Sequence, residues 1–147
     1  KKTDYNQMKK ILIVNANYYK DISKKLVLSS KKRLSNTFKL SIINVPGIFE
    51  IPIAIRKNIK KFDGFIALGC VIKGQTPHFD LICHSTFNSI INLSIAFNKP
   101  IGNGIITAYN IKQAFQRCKN TVIKKPNKGS EAANAVMSIL ENGPKKI

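Results

Sequence analysis

The sequence predicts an α/β fold, a three-layer α/β/α sandwich in which helices cover both faces of a central four-stranded parallel sheet. Short, apolar, β-branched runs alternate four times with longer segments of helical periodicity. No internal repeat or low-complexity linker interrupts this alternation. One domain over residues 1–147 is therefore expected, with residues 1–9 as a flexible arm and 142–147 as a flexible tail. A chain of 147 residues is long enough to bury a core without disulfides or metals.

Four segments are predicted to be strands. Lys10–Ala16 (KILIVNA) is short, continuous and β-branched, as is typical of a strand buried on both faces. Phe38–Val45 (FKLSIINV) alternates between apolar and polar residues. Phe65–Ile72 (FIALGCVI) is a third buried run, and a fourth strand is expected from Pro100 to Thr107.

The first two helices are predicted between these strands. One begins near Asp21 and carries Ile22, Leu26 and Leu34 on one face. The second is expected over Phe49–Lys61, with Pro52 in its first turn, where the missing N–H costs no hydrogen bond.

Three more helices complete the pattern. Phe79–Phe97 predicts a long amphipathic helix. Asn110 followed by Gln113 is a capping box that predicts a short helix, and Asn127 precedes the last one. The apolar stripe predicted for the long helix consists of Phe79, Ile82, Cys83, Phe87, Ile90 and Ile91.

Composition bounds the class of protein. Three cysteines with no C-x-x-C pair argue against a disulfide framework or a zinc site, and each is expected to be a small buried hydrophobe. No apolar run suits a signal peptide or a membrane span. A cytoplasmic location without membrane contact is the expectation.

The high positive net charge can be explained in more than one way. The formal charge of +18 is typical of nucleic-acid binding. It is spread from Lys1 to Lys146, however, and only Arg33, Arg56 and Arg117 are arginines, the side chain that phosphate recognition favours. Compositional bias toward Lys, Asn and Ile is the favoured explanation, and a surface that attracts phosphorylated substrates is the second. A nucleic-acid partner is not expected.

In parallel sheets, ligands bind at the carboxyl ends of the strands. That rule indicates the loops at 15–20, 46–50 and 73–78 and the stretch after Thr107. In the third loop, Gly74 and Thr76 precede a helix start, as a phosphate cradle requires, and His78 at its edge could move protons. The alternative is ordinary helix-start chemistry with a surface histidine. Glu50, a lone acid among apolar residues, either complements a helix dipole or binds a polyol.

The order and spacing of five motifs resemble the lumazine synthase family. The motifs are VPGIFEIP, ALGCVIKGQTPHFD, PIGNGIIT, NIKQAFQR and NKGSEAA, and the resemblance runs from about Lys10 to Met137. It implies a flavodoxin-like fold assembled into a ring-shaped homo-oligomer. It also implies condensation of 5-amino-6-(D-ribitylamino)uracil with 3,4-dihydroxy-2-butanone 4-phosphate to 6,7-dimethyl-8-ribityllumazine, the penultimate step of riboflavin biosynthesis, without metal or other cofactor.

The resemblance also implies roles for single residues. Tyr18 would stack on the pyrimidinedione ring, although a tyrosine that caps the sheet edge is the alternative. His78 would transfer protons. Arg117 would clamp the phosphate from the neighbouring subunit, and Lys128 would add a basic contact. His84 has no such support and is expected on the surface or at an interface. The remaining residues expected at the substrates are Ile48, Phe49, Glu50, Cys70, Val71, Ile72 and Asn103 for the pyrimidine and its ribityl chain, and Gly74, Gln75 and Thr76 for the phosphate.

Several positions depart from the family pattern. Asn103 stands where many members have an apolar residue against the ring, and Ile48 replaces the usual alanine. Lys73 replaces the common arginine and Ser85 a frequent glutamate.

The connection between Arg117 and Asn127 is about three residues longer than in icosahedral members, and Lys124 and Lys125 in it would repel their copies at a capsid contact. A pentamer or a pair of pentamers is therefore expected, with the active site at the subunit interface. Riboflavin synthase is a candidate partner.

Overall fold

The computed structural model describes residues 5–119 and 127–147. Four parallel strands form one sheet: β1 (Lys10–Ala16), β2 (Lys39–Val45), β3 (Gly64–Ile72) and β4 (Ile101–Ala108). Their order in the sheet is β2-β1-β3-β4, so β1 and β3 are central. This confirms the predicted four-stranded parallel sheet, and each strand lies within two residues of its predicted bounds.

Five α-helices connect the strands or follow the last of them. They are α1 (Lys20–Leu34), α2 (Ile51–Lys57), α3 (His78–Phe97), α4 (Ile111–Gln116) and α5 (Lys128–Glu141). Two short 3-10 helices, Tyr5–Gln7 and Ile48–Glu50, complete the described elements. No helix among the described residues is both long enough and apolar enough to cross a membrane.

The core has one cluster on each face of the sheet, because side chains of a strand alternate between faces. Ile11 and Ile13 of β1 point to the face covered by α1, α4 and α5, where Leu26 is fully buried. Leu12 and Val14 point to the opposite face, which α2 and α3 cover. The two clusters confirm the three layers.

Close approach of α5 to β4 depends on Gly102. A Cβ atom at this position would collide with the backbone carbonyl of Ala132 in α5 and would lie 3.0 Å from Val136. Glycine is therefore required here for space, and the helix lies directly on the strand.

The second helix is shorter than predicted. The expected span Phe49–Lys61 divides into the 3-10 turn Ile48–Glu50 and α2, which ends at Lys57. The Asn58 side chain donates a hydrogen bond of 2.8 Å to the carbonyl oxygen of Ala54. This bond satisfies a free carbonyl at the end of the helix, so the helix stops there.

Two predictions about α3 and the cysteines were wrong in part. Ile91, expected on the apolar stripe, is 53% exposed, whereas Thr86 and Ile90 are the two buried residues of this helix. The buried face is narrower than the sequence indicates, since Leu81 and Ile95 are also more than half exposed. Cys70 and Cys118 are buried as predicted, but Cys83 is only partly so.

The predicted capping box forms with a small shift. Asn110 Oδ1 accepts from the backbone N–H of Gln113 at 2.9 Å, as predicted. The Gln113 side chain, however, accepts from the N–H of Tyr109 and not from that of Asn110. Asn127 caps α5 in the same way, through Ser130.

Residues 1–4 of the predicted arm, and Lys124, Lys125 and Pro126 of the long connection, lie outside the described residues. Residues 142–147 contain no helix or strand.

Candidate active site

A cavity of about 540 Å³ opens at the carboxyl edge of the sheet. It lies where β1, β2 and β3 end, because the loops that follow these parallel strands leave the sheet on the same side. The loops after β1 and β2, the end of β3 and the first turns of α3 form its walls. Its lining residues are Tyr18, Tyr19, Gly47, Ile48, Phe49, Glu50, Cys70, Val71, Ile72, His78 and Ile82.

The end of β3 forms one wall. Cys70 is 8% exposed, and Val71 and Ile72 are half-buried. Burial, followed by the nearby Cys118, raises the pKa of Cys70 to about 12. The thiol therefore stays protonated near neutral pH and acts as a small, weakly polar surface, because only the thiolate is a strong nucleophile.

The turn after β2 presents Phe49 and Glu50 to the cavity. Ile48 is 5% exposed and fixes the turn in the core, while Phe49 is 59% exposed. The backbone N–H of Glu50 donates to the carbonyl of Gly47 at 3.2 Å. A Cβ atom at Gly47 would lie 3.2 Å from Glu50 Oε1, so the carboxylate folds back over this glycine. The result is one carboxylate beside an exposed aromatic ring.

Two tyrosines form the wall beyond β1. The ring centroids of Tyr18 and Tyr19 are 5.0 Å apart at an interplanar angle of 78°, an edge-to-face contact. Tyr18 is 74% exposed, whereas Tyr19 is half-buried against the core cluster of α1, α4 and α5. Burial, then Cys70 and then Tyr18 raise the pKa of Tyr19, so its phenol is neutral near neutral pH. Tyr19 thus holds the exposed ring of Tyr18 in place.

His78 is the first residue of α3 and is exposed. Ile82, one turn later on the same face of the helix, also lines the cavity. This position brings an imidazole to the cavity rim at the positive end of the helix dipole. A histidine here can exchange protons with a bound molecule.

Comparison with known proteins decides the family. A model of the 6,7-dimethyl-8-ribityllumazine synthase family matches residues 8–142. The chain belongs to this family. Enzymes of this name from Campylobacter jejuni and Campylobacter curvus are 39% and 37% identical over 137 residues, which cover 89% of this chain and 87% and 86% of theirs. The one from Methylorubrum extorquens is 35% identical over 139 residues, covering 89% of this chain and 79% of its own.

The family membership predicted from the motifs is therefore confirmed. Of the site residues expected on that basis, eight line this cavity: Tyr18, Ile48, Phe49, Glu50, Cys70, Val71, Ile72 and His78. Their contacts with the substrates of the family stay a prediction.

The expected phosphate loop lies beside the cavity and not in its wall. Gly74, Gln75 and Thr76 are exposed between β3 and α3. The loop is tied to the end of β4: the N–H of Lys73 donates to the carbonyl of Ala108 at 2.9 Å, and its Nζ lies 5.5 Å from the ring centroid of Tyr109. A Cβ atom built at Gly74 would have no other atom within 4 Å, so the space beside the backbone of this loop is free for a ligand.

Asn103, Arg117 and Lys128 are not among the residues that line this cavity. Asn103 of β4 pairs with Ala67 of β3, three residues before Cys70, the first residue of β3 in the cavity wall. The Asn103 Oδ1 accepts a hydrogen bond of 3.0 Å from the backbone N–H of Ile105. Arg117 and Lys128 lie together, since the N–H of Lys128 donates to the carbonyl of Arg117 at 2.8 Å. Their assignments stay predictions, and for Arg117 the prediction places the contact in a neighbouring subunit.

Sequence reasoning missed three lining residues, Tyr19, Gly47 and Ile82. Ile82 could have been found, because it follows His78 by four residues on a predicted helix and so shares its face. Tyr19 could not, because the direction of two adjacent side chains in a loop depends on the tertiary contacts. Among the described residues, no three His, Cys, Asp or Glu side chains are grouped as metal ligands would be.

Proposed function

We propose that this chain condenses 5-amino-6-(D-ribitylamino)uracil with 3,4-dihydroxy-2-butanone 4-phosphate, and that the reaction takes place in the cavity at the carboxyl edge of the sheet. The product is 6,7-dimethyl-8-ribityllumazine, and the chain is a transferase of riboflavin biosynthesis. The observation that carries the location is the lining of the cavity. It combines exposed aromatic rings, one carboxylate and an imidazole at the rim.

The pyrimidine is assigned to the inner part of the cavity. Tyr18 offers a flat, exposed ring for stacking on the heterocycle. The backbone of Val71 and Ile72, at the end of β3, supplies hydrogen-bonding groups for its edge. Phe49 and Glu50 bind the ribityl chain, the first through its backbone amide and the second through its carboxylate. A carboxylate is a strong acceptor for hydroxyl groups.

The ketone phosphate is assigned to the rim. Gly74, Gln75 and Thr76 offer backbone N–H groups and a hydroxyl next to the start of α3, where the helix dipole favours a phosphate. His78 then lies between phosphate and heterocycle.

The reaction runs in four steps. The pyrimidine amine attacks the ketone, and loss of water gives an imine. Phosphate is eliminated, and ring closure releases a second water. His78 moves the protons of these steps, while the cavity holds the two substrates in attack geometry.

We further propose that the site is completed across a subunit interface. Arg117 and Lys128 of a second copy would reach the phosphate, since neither lines the cavity of its own chain. The apolar face of α3 supports association: Leu81, Ile91 and Ile95 are 64%, 53% and 73% exposed. A ring-shaped pentamer or a pair of pentamers is proposed, and a particle of sixty subunits in light scattering would contradict it. Riboflavin synthase, which consumes the product, is the proposed further partner.

The experiment is a turnover assay of the purified protein with both substrates, which follows the absorbance and green fluorescence of the lumazine. Product is expected from the wild type, and His78→Ala should lower kcat by about 100-fold without abolishing it. His84→Ala, a change at an exposed histidine of the same helix that does not line the cavity, should leave kcat unchanged as long as sedimentation shows the wild-type oligomeric state. A wild type without product would refute the function, and an unchanged His78→Ala variant would remove His78 from the mechanism.

A further inference from the structure

A separate cavity, of about 280 Å³, lies between β1, β2 and the first turns of α1. It shares no lining residue with the cavity proposed as the active site. Its volume is that of about nine water molecules, so it accommodates a small molecule. Most of its lining side chains are polar or charged, namely those of Asn15, Asn17, Lys20, Ser23, Lys24 and Asn44.

Asn15 is the unusual member of this lining. It lies in the central strand β1 between Val14 and Ala16 and is 5% exposed, a position where a polar side chain is unfavourable. Its Nδ2 donates to Asn44 Oδ1 at 3.0 Å and to Ser23 Oγ at 3.4 Å. Its Oδ1 has no hydrogen-bond partner among the described residues. An unpaired buried carbonyl is costly, so this position calls for a donor from a molecule in the cavity.

The start of α1 favours an anion in the same cavity. The N-cap residue, Tyr19, makes no side-chain capping bond, and the N–H of Ser23 donates to the carbonyl of Tyr19 at 2.9 Å. The N–H groups of the first three helical residues precede this bond and have no acceptor within the helix. They lie at the positive end of the helix dipole, where negative charge is stabilised.

Two lysines of α1 add positive charge. Lys20 and Lys24 both line the cavity and are exposed, and they are four residues apart on one face of the helix. Like charges at this spacing repel each other, and cations are disfavoured at the N-terminal end of a helix. An anion bound between the two lysines would offset both effects. Because of the unpaired carbonyl of Asn15, this anion must also carry a hydrogen-bond donor.

We propose that this cavity binds a small oxyanion that carries a hydroxyl group, of which hydrogenphosphate is the simplest example. Its oxygens accept from the first N–H groups of α1 and lie beside Lys20 and Lys24, while its O–H donates to Asn15 Oδ1. Sulfate has the same shape but carries no proton near neutral pH, so it lacks the last contact. The site is separate from the proposed phosphate loop at 74–76, which does not line this cavity, and does not depend on the proposed reaction.

The test titrates the isotope-labelled protein with inorganic phosphate and, separately, with sulfate, and follows the backbone amide signals by NMR. The amides of Lys20 and Ile22 report on this cavity, and those of Gly74 and Thr76 report on the phosphate loop, so the two sites are measured independently. At the α1 amides, phosphate should bind about three- to tenfold more tightly than sulfate, the effect of one hydrogen bond.

Substitutions separate the two requirements on the ligand. Asn15→Leu removes the amide, keeps a similar volume and should abolish the preference for phosphate over sulfate at the α1 amides. Lys24→Met removes one charge at the protein surface and should weaken binding of both anions there about threefold or more. Lys31→Met, the same change at an exposed lysine of α1 outside the cavity, is the matched control and should leave both affinities nearly unchanged.

Three outcomes would overturn the inference. The first is the absence of saturable shifts at the α1 amides of the wild type. The second is equal affinity of these amides for phosphate and sulfate, because Asn15 Oδ1 would then meet no donor. The third is an equal loss of affinity in Lys24→Met and Lys31→Met, which would mean that phosphate responds only to the net charge of the protein.

Discussion

Gly69→Ala tests how the turn that carries Phe49 and Glu50 is held against the sheet. A Cβ atom at Gly69 would lie 2.8 Å from Ile48 Cγ2 and 3.1 Å from Ala16 Cβ. Gly69 is paired with Ile105 of β4, and the preceding Leu68 is paired with Asn15 of β1, so the backbone at Gly69 has little freedom to move away. Ile48 is 5% exposed and must move about half an ångström or more to reach an ordinary contact distance.

This displacement should lower stability and binding together. One extra methyl group in a packed core costs about 1–3 kcal/mol in the free energy of unfolding. Because Ile48 directly precedes Phe49 and Glu50, the same shift moves the turn at the cavity. A roughly tenfold higher Kd for the pyrimidine is expected, since small misplacements of binding groups have large effects.

The assay is urea unfolding, followed by far-UV circular dichroism at fixed protein concentration, together with calorimetric binding of the pyrimidine. Ile48→Ala removes the Cγ2 atom that the new methyl group meets, so the double variant should be more stable than the sum of the two single effects by about 0.5 kcal/mol or more. The rescue is partial, because the contact with Ala16 remains. Ile48→Val keeps Cγ2 and should not rescue.

A Gly69→Ala protein with wild-type stability and affinity would refute this reasoning. Strict additivity in the Gly69→Ala/Ile48→Ala double variant would refute it as well, because the steric conflict would then lie elsewhere.

Three further predictions concern single side chains. Arg117→Ala should raise the KM for the ketone phosphate about tenfold or more, because a charge-assisted contact is lost, and should leave the KM for the pyrimidine nearly unchanged. Equal increases in the two KM values in steady-state kinetics would contradict the assignment of Arg117 to the phosphate. Tyr19→Leu should raise the Kd for the pyrimidine about three- to tenfold, because Tyr18 loses its edge-to-face neighbour, while Tyr19→Phe keeps wild-type affinity in calorimetry. Equal losses in both variants would mean that the phenol and not the ring matters. Between pH 8 and pH 10 the free energy of unfolding should fall by about 1.4 kcal/mol more in the wild type than in Cys70→Ala. The reason is that the unfolded thiol, with a pKa near 9.0, loses its proton in this range, whereas burial raises the pKa of the folded thiol to about 12. Parallel pH profiles of the two proteins in urea unfolding would contradict this raised pKa.

The sequence predicted the strands well because each buried strand is a short, continuous apolar run bounded by polar residues. Helix bounds were less secure. The pattern of α2 continues past Lys57, yet the side chain of Asn58 turns back to Ala54 and ends the helix. Ile91 fits the apolar stripe of α3 by its spacing, but the helix is turned so that Thr86 and Ile90 are its buried residues and Ile91 stays 53% exposed.

The residues that line the cavity also fall into two groups, those that the sequence predicts and those that it does not. Local sequence identifies residues that occupy the ends of strands, so Glu50, Val71 and His78 were found from the strand pattern and the motifs. Residues that enter the site through packing, such as Tyr19, carry no comparable local signal. Sequence spacing also does not tell whether Arg117 serves its own cavity or that of a neighbouring copy.

By itself the sequence determined the α/β alternation, the four strands, the loops after β1 and β2 that line the cavity, and the family. These follow from periodicity and from short motifs, which are local properties of the chain. Only the tertiary structure decided which face of α3 is buried, how Tyr19 supports Tyr18, and that Asn15 and the first turns of α1 line a separate cavity. The physical reason is that burial and cavity shape depend on contacts between residues far apart in the chain, whereas periodicity reports only the neighbours along it.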